Sequence, residues 1–183
     1  GNMMTNSQVG SYVYPLTGIR PHAVTTAGGN TYIYDDNGNM TSGAGRAIIY
    51  DYDNRPVSIT AGGVTTTFIY DGAGSRVKKT SNGVSTVYIG KLYENTPDGC
   101  VKYIFAGGQR IVMRDAAGAL FYYHVDHLGS SSVVTDASGN LVERIAYFPY
   151  GQTRINTGTK DMHHKFTGQE LDAETGLYFY GAR

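Results

Sequence analysis

The chain has 183 residues, zero formal net charge and only 16% charged residues, so it fits one domain and offers no electrostatic footprint for DNA, RNA or an anionic membrane. Its single cysteine, Cys100, excludes an internal disulfide, a CxxC redox pair and a thiolate zinc site; in a strand it reads as a small buried hydrophobe. Glycine and tyrosine are abundant (25 and 16), tryptophan is absent, and no long Ala, Leu, Glu and Lys-rich stretch occurs, which predicts an all-β fold with very little helix.

Residues 1–29 are polar and irregular, broken by Pro15, Gly18, Pro21 and the Gly28-Gly29 pair, with Tyr12-Val13-Tyr14 as one short strand. Neither a membrane-spanning run nor a signal segment is present in the stretch, so membrane insertion is not expected. From residue 30 a unit recurs: Ile33-Tyr34-Asp35-Asp36-Asn37-Gly38, then Ile49-Tyr50-Asp51-Tyr52-Asp53-Asn54, then Ile69-Tyr70-Asp71-Gly72-Ala73-Gly74. The Tyr-to-Tyr steps of 16 and 20 residues correspond to one β-hairpin per repeat. Tyrosine ends a strand with a ring that packs and a hydroxyl that reaches a neighbour. Aspartate opens the turn by accepting backbone N–H bonds, and Gly or Asn supplies the positive φ that follows.

Strands are predicted at 65–70, 76–81, 84–89, 91–95, 101–105 and 110–114, with Asn82-Gly83 a strong two-residue hairpin signal. Residues 120–125, 131–135 and 141–148 form a three-strand meander with turns at 126–129 and 136–140, closed by Pro149-Tyr150-Gly151. A last hairpin, 165–183, pairs 165–167 with 177–181 across a connector at 168–176. The division is therefore an irregular segment (1–29), hairpin repeats (30–119) and a closing core (120–183). Several strands, such as Leu120-Phe121-Tyr122-Tyr123, are apolar or aromatic on both faces. That fits either a sandwich core or a curved sheet whose concave side covers something, a partial β-shell.

Candidate chemistry is sparse. His124, Asp126 and His127 would converge on a metal only if the chain turned directly after Val125, so structural hydrogen bonding is the expectation. His163 and His164 diverge if extended and, with Asp161, are expected on a polar loop. Glu170, Asp172 and Glu174 read as a solvated connector rather than an acid–base pair. Ser130-Ser131-Ser132 lacks a nucleophile elbow, and neither Gly62-Gly63 nor Gly107-Gly108 leads into a phosphate-binding helix. No catalytic residue, metal site or cofactor is assigned. Exposed tyrosines with Asp and Asn nearby could stack on sugars, against the alternative that they pack within the sheet.

The Tyr-Asp repeats resemble the RHS or YD-repeat proteins. So do Tyr123-His124-Val125-Asp126-His127-Leu128-Gly129-Ser130, Thr135-Asp136, Gly139, Tyr150-Gly151 and the tail from Lys165-Phe166-Thr167-Gly168 to Gly176-Leu177-Tyr178-Phe179-Tyr180-Gly181-Ala182-Arg183. The tail resembles the RHS-associated core that follows such repeats. The structural positions this implies are Tyr34, Asp35, Tyr50, Asp51, Tyr70, Asp71, Asp126, His127, Gly129, Asp136, Gly139, Gly151, Gly168, Gly176 and Gly181. The resemblance implies hairpins spiralling into a hollow shell, in secreted toxins, effectors and surface proteins, which in bacterial members encloses a variable C-terminal toxin. The chain departs from the pattern in holding few repeats and stopping before the aspartate-containing segment that carries self-cleavage.

The expected role is thus a non-catalytic structural module, with a polypeptide cargo or the remainder of the shell as partner and a secreted or cell-surface location. A glycan- or cell-surface-binding module and a fragment of a self-cleaving precursor are the alternatives. Sheet edges must be covered, by residues 2–29 or by pairing between copies.

Overall fold

The computed structural model describes residues 1–160 and 162–181, and within them turns rich in Gly, Asn and Asp separate twenty short strands. Two compact units are distinguished, Gly1–Phe68 and the stretch from Ile69 onward.

In the first unit, β1 (Thr5–Asn6), β2 (Gly10–Val13), β3 (Thr26–Ala27) and β4 (Asn30–Thr31) form a small antiparallel sheet in sequence order. The stretch expected to be irregular is therefore pinned by pairings such as Tyr12 with Ala27, in strands too short to carry a period. A longer ladder begins with β5 (Ile33–Tyr34), β6 (Met40–Gly43), β7 (Arg46–Tyr50), β8 (Pro56–Ala61) and β9 (Val64–Tyr70). Ile48 lies opposite Ile59, and Ile59 opposite Thr66, all buried on one face. The alternate residue Ile49 remains 64% exposed, as the two-residue period requires.

The second unit continues the ladder through β10 (Arg76–Ser81), β11 (Val84–Ile89), β12 (Tyr93–Thr96), β13 (Gly99–Ala106), β14 (Gln109–Arg114), β15 (Leu120–Val125), β16 (Ser131–Asp136), β17 (Leu141–Tyr147) and β18 (Thr153–Gly158). From β5 to β18 every strand is bonded to its sequence neighbours, giving a fourteen-strand antiparallel sheet of hairpins. The fold is all-β, as expected; among the described residues the one helical element is a 3₁₀ turn at Phe166–Gly168.

Cross-strand partners line up on one face of the second unit: Tyr88 opposite Glu94 opposite Val101, Tyr103 opposite Met113 opposite Phe121, and Tyr123 opposite Val134 opposite Glu143. All nine are buried, and Val101, Tyr103, Met113, Phe121, Tyr123 and Val134 pack with Val142 and Met162 as one core. Burying each large side chain contributes about 1.5–3 kcal/mol. Met162 belongs to the chain that follows β18, so that chain returns onto this face. It ends in a hairpin of β19 (Glu170–Asp172) and β20 (Leu177–Phe179). Cys100 is exposed in β13, contrary to the expectation of burial: its β13 neighbour Val101 takes the core side and leaves it on the other.

Turns of two kinds make most of the ladder's connections. At Ala44-Gly45, Gly62-Gly63, Asn82-Gly83 and Gly107-Gly108 both central residues have positive φ, the twist-matched two-residue reversal. The other kind is built on an aspartate. At Asp35, Asp51, Asp71, Asp115, Asp126 and Asp136 the Asp N–H donates to the carbonyl four residues on, and the residue three on donates back to the Asp carbonyl. In all six, Asp Oδ1 accepts the N–H of the fourth residue at 2.8–2.9 Å. Five of the six place Gly at the left-handed third position; Asn54 fills it after Asp51 with φ 61°.

Candidate functional site

The polar residues of the closing hairpin are not a solvated connector. Residues 165–167, expected as a strand, do not form one: Phe166–Gly168 is the 3₁₀ turn, with Thr167 in left-handed backbone (φ 50°), and the strand starts later, at Glu170. Two residues apart on that strand, Glu170 and Asp172 share a face, and both are buried. They meet a pair of cations from β10. Arg76 Nη2 reaches Glu170 Oε2 at 2.5 Å and Nη1 reaches Asp172 Oδ2 at 2.7 Å; Lys79 Nζ lies 2.9 Å from Asp172 and 3.2 Å from Glu170. Tyr88 Oη donates to Glu170 at 2.7 Å, and the Arg76 guanidinium sits 4.1 Å from the Phe179 ring centroid. Burial works against the Glu170 carboxylate, but Arg76 and Lys79 outweigh it and hold its carboxyl below the ordinary value.

A second group adjoins the first. The backbone bends at His163, so two adjacent imidazoles that would diverge in a strand come together, ring centroids 4.6 Å apart. His163 Nε2 lies 2.8 Å from Glu94 Oε2, and His164 Nε2 lies 3.6 Å from Glu94 Oε1. Tyr103 Oη is 3.1 Å from Glu94 Oε2 and 3.0 Å from His163 Nε2. These histidines therefore do not decorate a polar loop: His164 is buried and His163 half-buried. Asp161, expected beside them, lies outside the described residues. Burial, with His163 and Arg110 close by, pushes the His164 imidazole well below its usual range. His163 is held above its usual value: burial opposes this, but the hydrogen bond it donates to the Glu94 carboxylate prevails. A cavity of about 550 Å³ adjoins the group, lined among others by Lys79, Glu94, Met113, Met162, His163 and Glu170.

The backbone between these groups is tied down as well. Ser131 Oγ donates to His164 O at 2.8 Å, its N–H donates to Lys165 O at 3.0 Å, and Ser130 Oγ accepts the Thr167 N–H at 3.1 Å. Both serines are buried anchors.

Tyr34 Oη donates to Val24 O, and Tyr50 Oη to Met40 O, each ten residues back, while Tyr70 packs near Phe179. Asp35, Asp51, Asp71, Asp126 and Asp136 open the turns described above, and Gly129 and Gly139 sit at their left-handed positions. Gly151, Gly168, Gly176 and Gly181 also have positive φ. His127 is exposed, His124 bonds Thr135 Oγ1, and neither joins Asp126 in a metal-like group. The residues that do converge, Arg76, Lys79, Tyr88, Glu94 and Tyr103, come from strands with no distinctive motif. A cation or carboxylate at an inward strand position was the one available signal.

A family model described as Teneurin YD-shell matches residues 1–183. The chain is 28% identical over 164 residues to the tRNA3(Ser)-specific nuclease WapA of Bacillus spizizenii, covering 82% of this chain and 7% of that protein. It is 45% identical over 67 residues to salivary gland surface protein 1 of Aedes aegypti, covering 34% of this chain and 2% of that protein. Among solved structures it resembles TcdB2-TccC3 (TM-score 0.68, 20% identity, 82% of this chain and 9% of that one) and TcdB2-TccC3-TEV (TM-score 0.70, 18% identity, 94% and 11%). The chain thus spans under a tenth of the length of the curated relatives it matches.

Proposed function

Because the chain belongs to the Teneurin YD-shell family, we propose that it is a non-catalytic wall segment of a secreted or surface-displayed shell that encloses or presents a polypeptide cargo, a toxin or effector in the bacterial setting. The observation that carries this reading is the ladder itself. Fourteen strands pair strictly in sequence order and its end strands, β5 and β18, leave edges for further hairpins of the same kind. Five of six residues of β18 are exposed. The curated relatives are many times longer than this chain, which leaves length for further hairpins at such edges. The polar residues of the site are engaged with one another as locks between strands and tail, which suits a wall better than a turnover site.

A glycan-binding face draws less support. Tyr88, Tyr103 and Tyr123 are buried, and Tyr34, Tyr50 and Tyr147 spend their hydroxyls on backbone carbonyls.

The test is limited proteolysis of the natural full-length protein that carries this segment. The polypeptide that follows the segment should resist a protease in the intact protein and be degraded once the ladder is broken. Equal cleavage rates in the intact and broken forms would remove the enclosure reading.

A further inference from the structure

We propose that Glu94, His163 and His164 form a binding site for a divalent transition ion of the zinc class, which fastens the returning C-terminal chain to β12. Among the described residues, this is the group of His, Cys, Asp and Glu side chains whose ligand atoms converge, all within 4.8 Å of one another. Two neutral imidazoles and one carboxylate are a donor set that zinc favours, and three protein ligands leave a fourth position open.

Glu94, His163 and Tyr103 are within hydrogen-bond distance of one another, but the His164 edge of the group fits an ion better than a hydrogen bond. The 3.6 Å gap between His164 Nε2 and Glu94 Oε1 is too long for a hydrogen bond, yet close to the edge of a tetrahedron of zinc ligands, about 3.4 Å. His164 is only 6% exposed, its Nδ1 has no hydrogen-bond partner, and its Nε2 meets Glu94 Oε1 only at 3.6 Å. Ligation at Nε2 would give the buried ring a strong polar bond at that nitrogen. Tyr103 Oη, 3.1 Å from Glu94 Oε2, is placed to orient the carboxylate, the supporting role that outer-sphere donors play at metal sites. The neighbouring cavity, lined by Glu94 and His163, gives room for a water as fourth ligand and a path of entry.

Three cations lie nearby, and none stands against an ion here: Arg110 donates to Gly168 O and lies over the Tyr103 ring. Arg76 and Lys79 are each held by the Glu170 and Asp172 carboxylates. The histidines were legible in the sequence as a pair, but Glu94, sixty-nine residues upstream of His163, was not, and without it the expectation was of no metal.

The experiment titrates the purified chain carrying Cys100→Ser, so that the exposed thiol contributes nothing. Co²⁺ is read by its visible d–d absorption, and Zn²⁺ by competition with a chromophoric chelator. One equivalent of Co²⁺ should give the absorption of a four- or five-coordinate site, Zn²⁺ should displace it, and Zn²⁺ should raise the thermal midpoint. His164→Asn should weaken binding more than about tenfold and abolish the thermal shift. Since that position is buried, the half-buried His163→Asn serves as the second variant, with its β-sheet circular dichroism checked first. Absence of a one-equivalent Co²⁺ spectrum in the parent overturns the proposal. So does a folded His163→Asn protein that binds as tightly as the parent.

Discussion

Arg76 on β10 and Glu170 on β19 lie ninety-four residues apart in sequence and 2.5 Å apart in space, both almost wholly buried. Removing one partner of such a pair strands the other without water. We therefore expect Arg76→Met to destabilise the second unit by about 3–5 kcal/mol. Hydrogen exchange should show the effect first at Leu171, whose amide donates to His163 O in the returning chain. Unchanged protection there, with unchanged urea stability, would mean the pair does not hold the tail.

The repeat tyrosines make a finer distinction. Tyr50 spends its hydroxyl on Met40 O at 3.0 Å, whereas Tyr52, two residues on, is fully exposed. Tyr50→Phe should cost about 1 kcal/mol and Tyr52→Phe nothing measurable by urea denaturation. Equal effects would show that the hydroxyl bond is not what favours tyrosine at the first position.

Gly151 occupies a left-handed position (φ 85°) in a turn with the same backbone bonds as the aspartate turns, built on Phe148 instead. A Cβ added there would come within 2.7 Å of Phe166 Cδ1 in the 3₁₀ turn, while one at Gly62 would meet open space. Gly151→Ala should therefore combine backbone strain with a clash and lose about 2–3 kcal/mol. Gly62→Ala pays the backbone term alone, about 1 kcal/mol. Thermal denaturation of the two variants side by side checks the difference.

The aspartate turns give the fold a defined acid response. A side-chain hydrogen bond from Asn39 lowers Asp35, one from Lys160 lowers Asp115, and one from Asn140 lowers Asp136, all below the ordinary value of 3.8. A carboxyl depressed in the folded state contributes stability that is complete above pH 3.8 and is lost as the pH falls through its folded value. The contribution of these turns to the urea midpoint should thus be flat from neutrality to about pH 4.5 and fall below pH 3.8, so it is read as the difference between variant and parent. Asp136→Asn, which keeps an acceptor for the Asn140 N–H, should make the fall shallower. A slope identical to that of the parent would assign the acid response elsewhere.

Much of this architecture could be read in advance, because its signals are local. Strands β10, β11 and β15 carry their predicted boundaries, since Asn82-Gly83 and the aspartate turns announce reversals within four residues. What escaped notice is what locality cannot carry. β6 and β18 are polar or small-residue strands held by their neighbours rather than by a pattern of their own. Thr167 adopts a backbone conformation unusual for a β-branched residue, which broke the expected strand at 165–167. Glu170 and Asp172 looked solvated because carboxylates usually are; only the presence of Arg76 and Lys79 on a distant strand reverses that prior.

The strictly sequential ladder also bears on how the chain acquires its structure in time. Each strand finds its partner in the segment made just before it, so pairing requires only short loop closures and can proceed from the N-terminal side as the polypeptide emerges from the ribosome. The Arg76–Glu170 lock is the opposite case. It cannot form until Glu170 has been synthesised, ninety-four residues after Arg76, and its closure entropy is that of a very long loop. Until then, Arg76 and the apolar row behind Met162 face solvent. The late step of folding is therefore the docking of the tail, and chains stalled before residue 160 should be sticky and prone to capture by chaperones despite having most of their sheet.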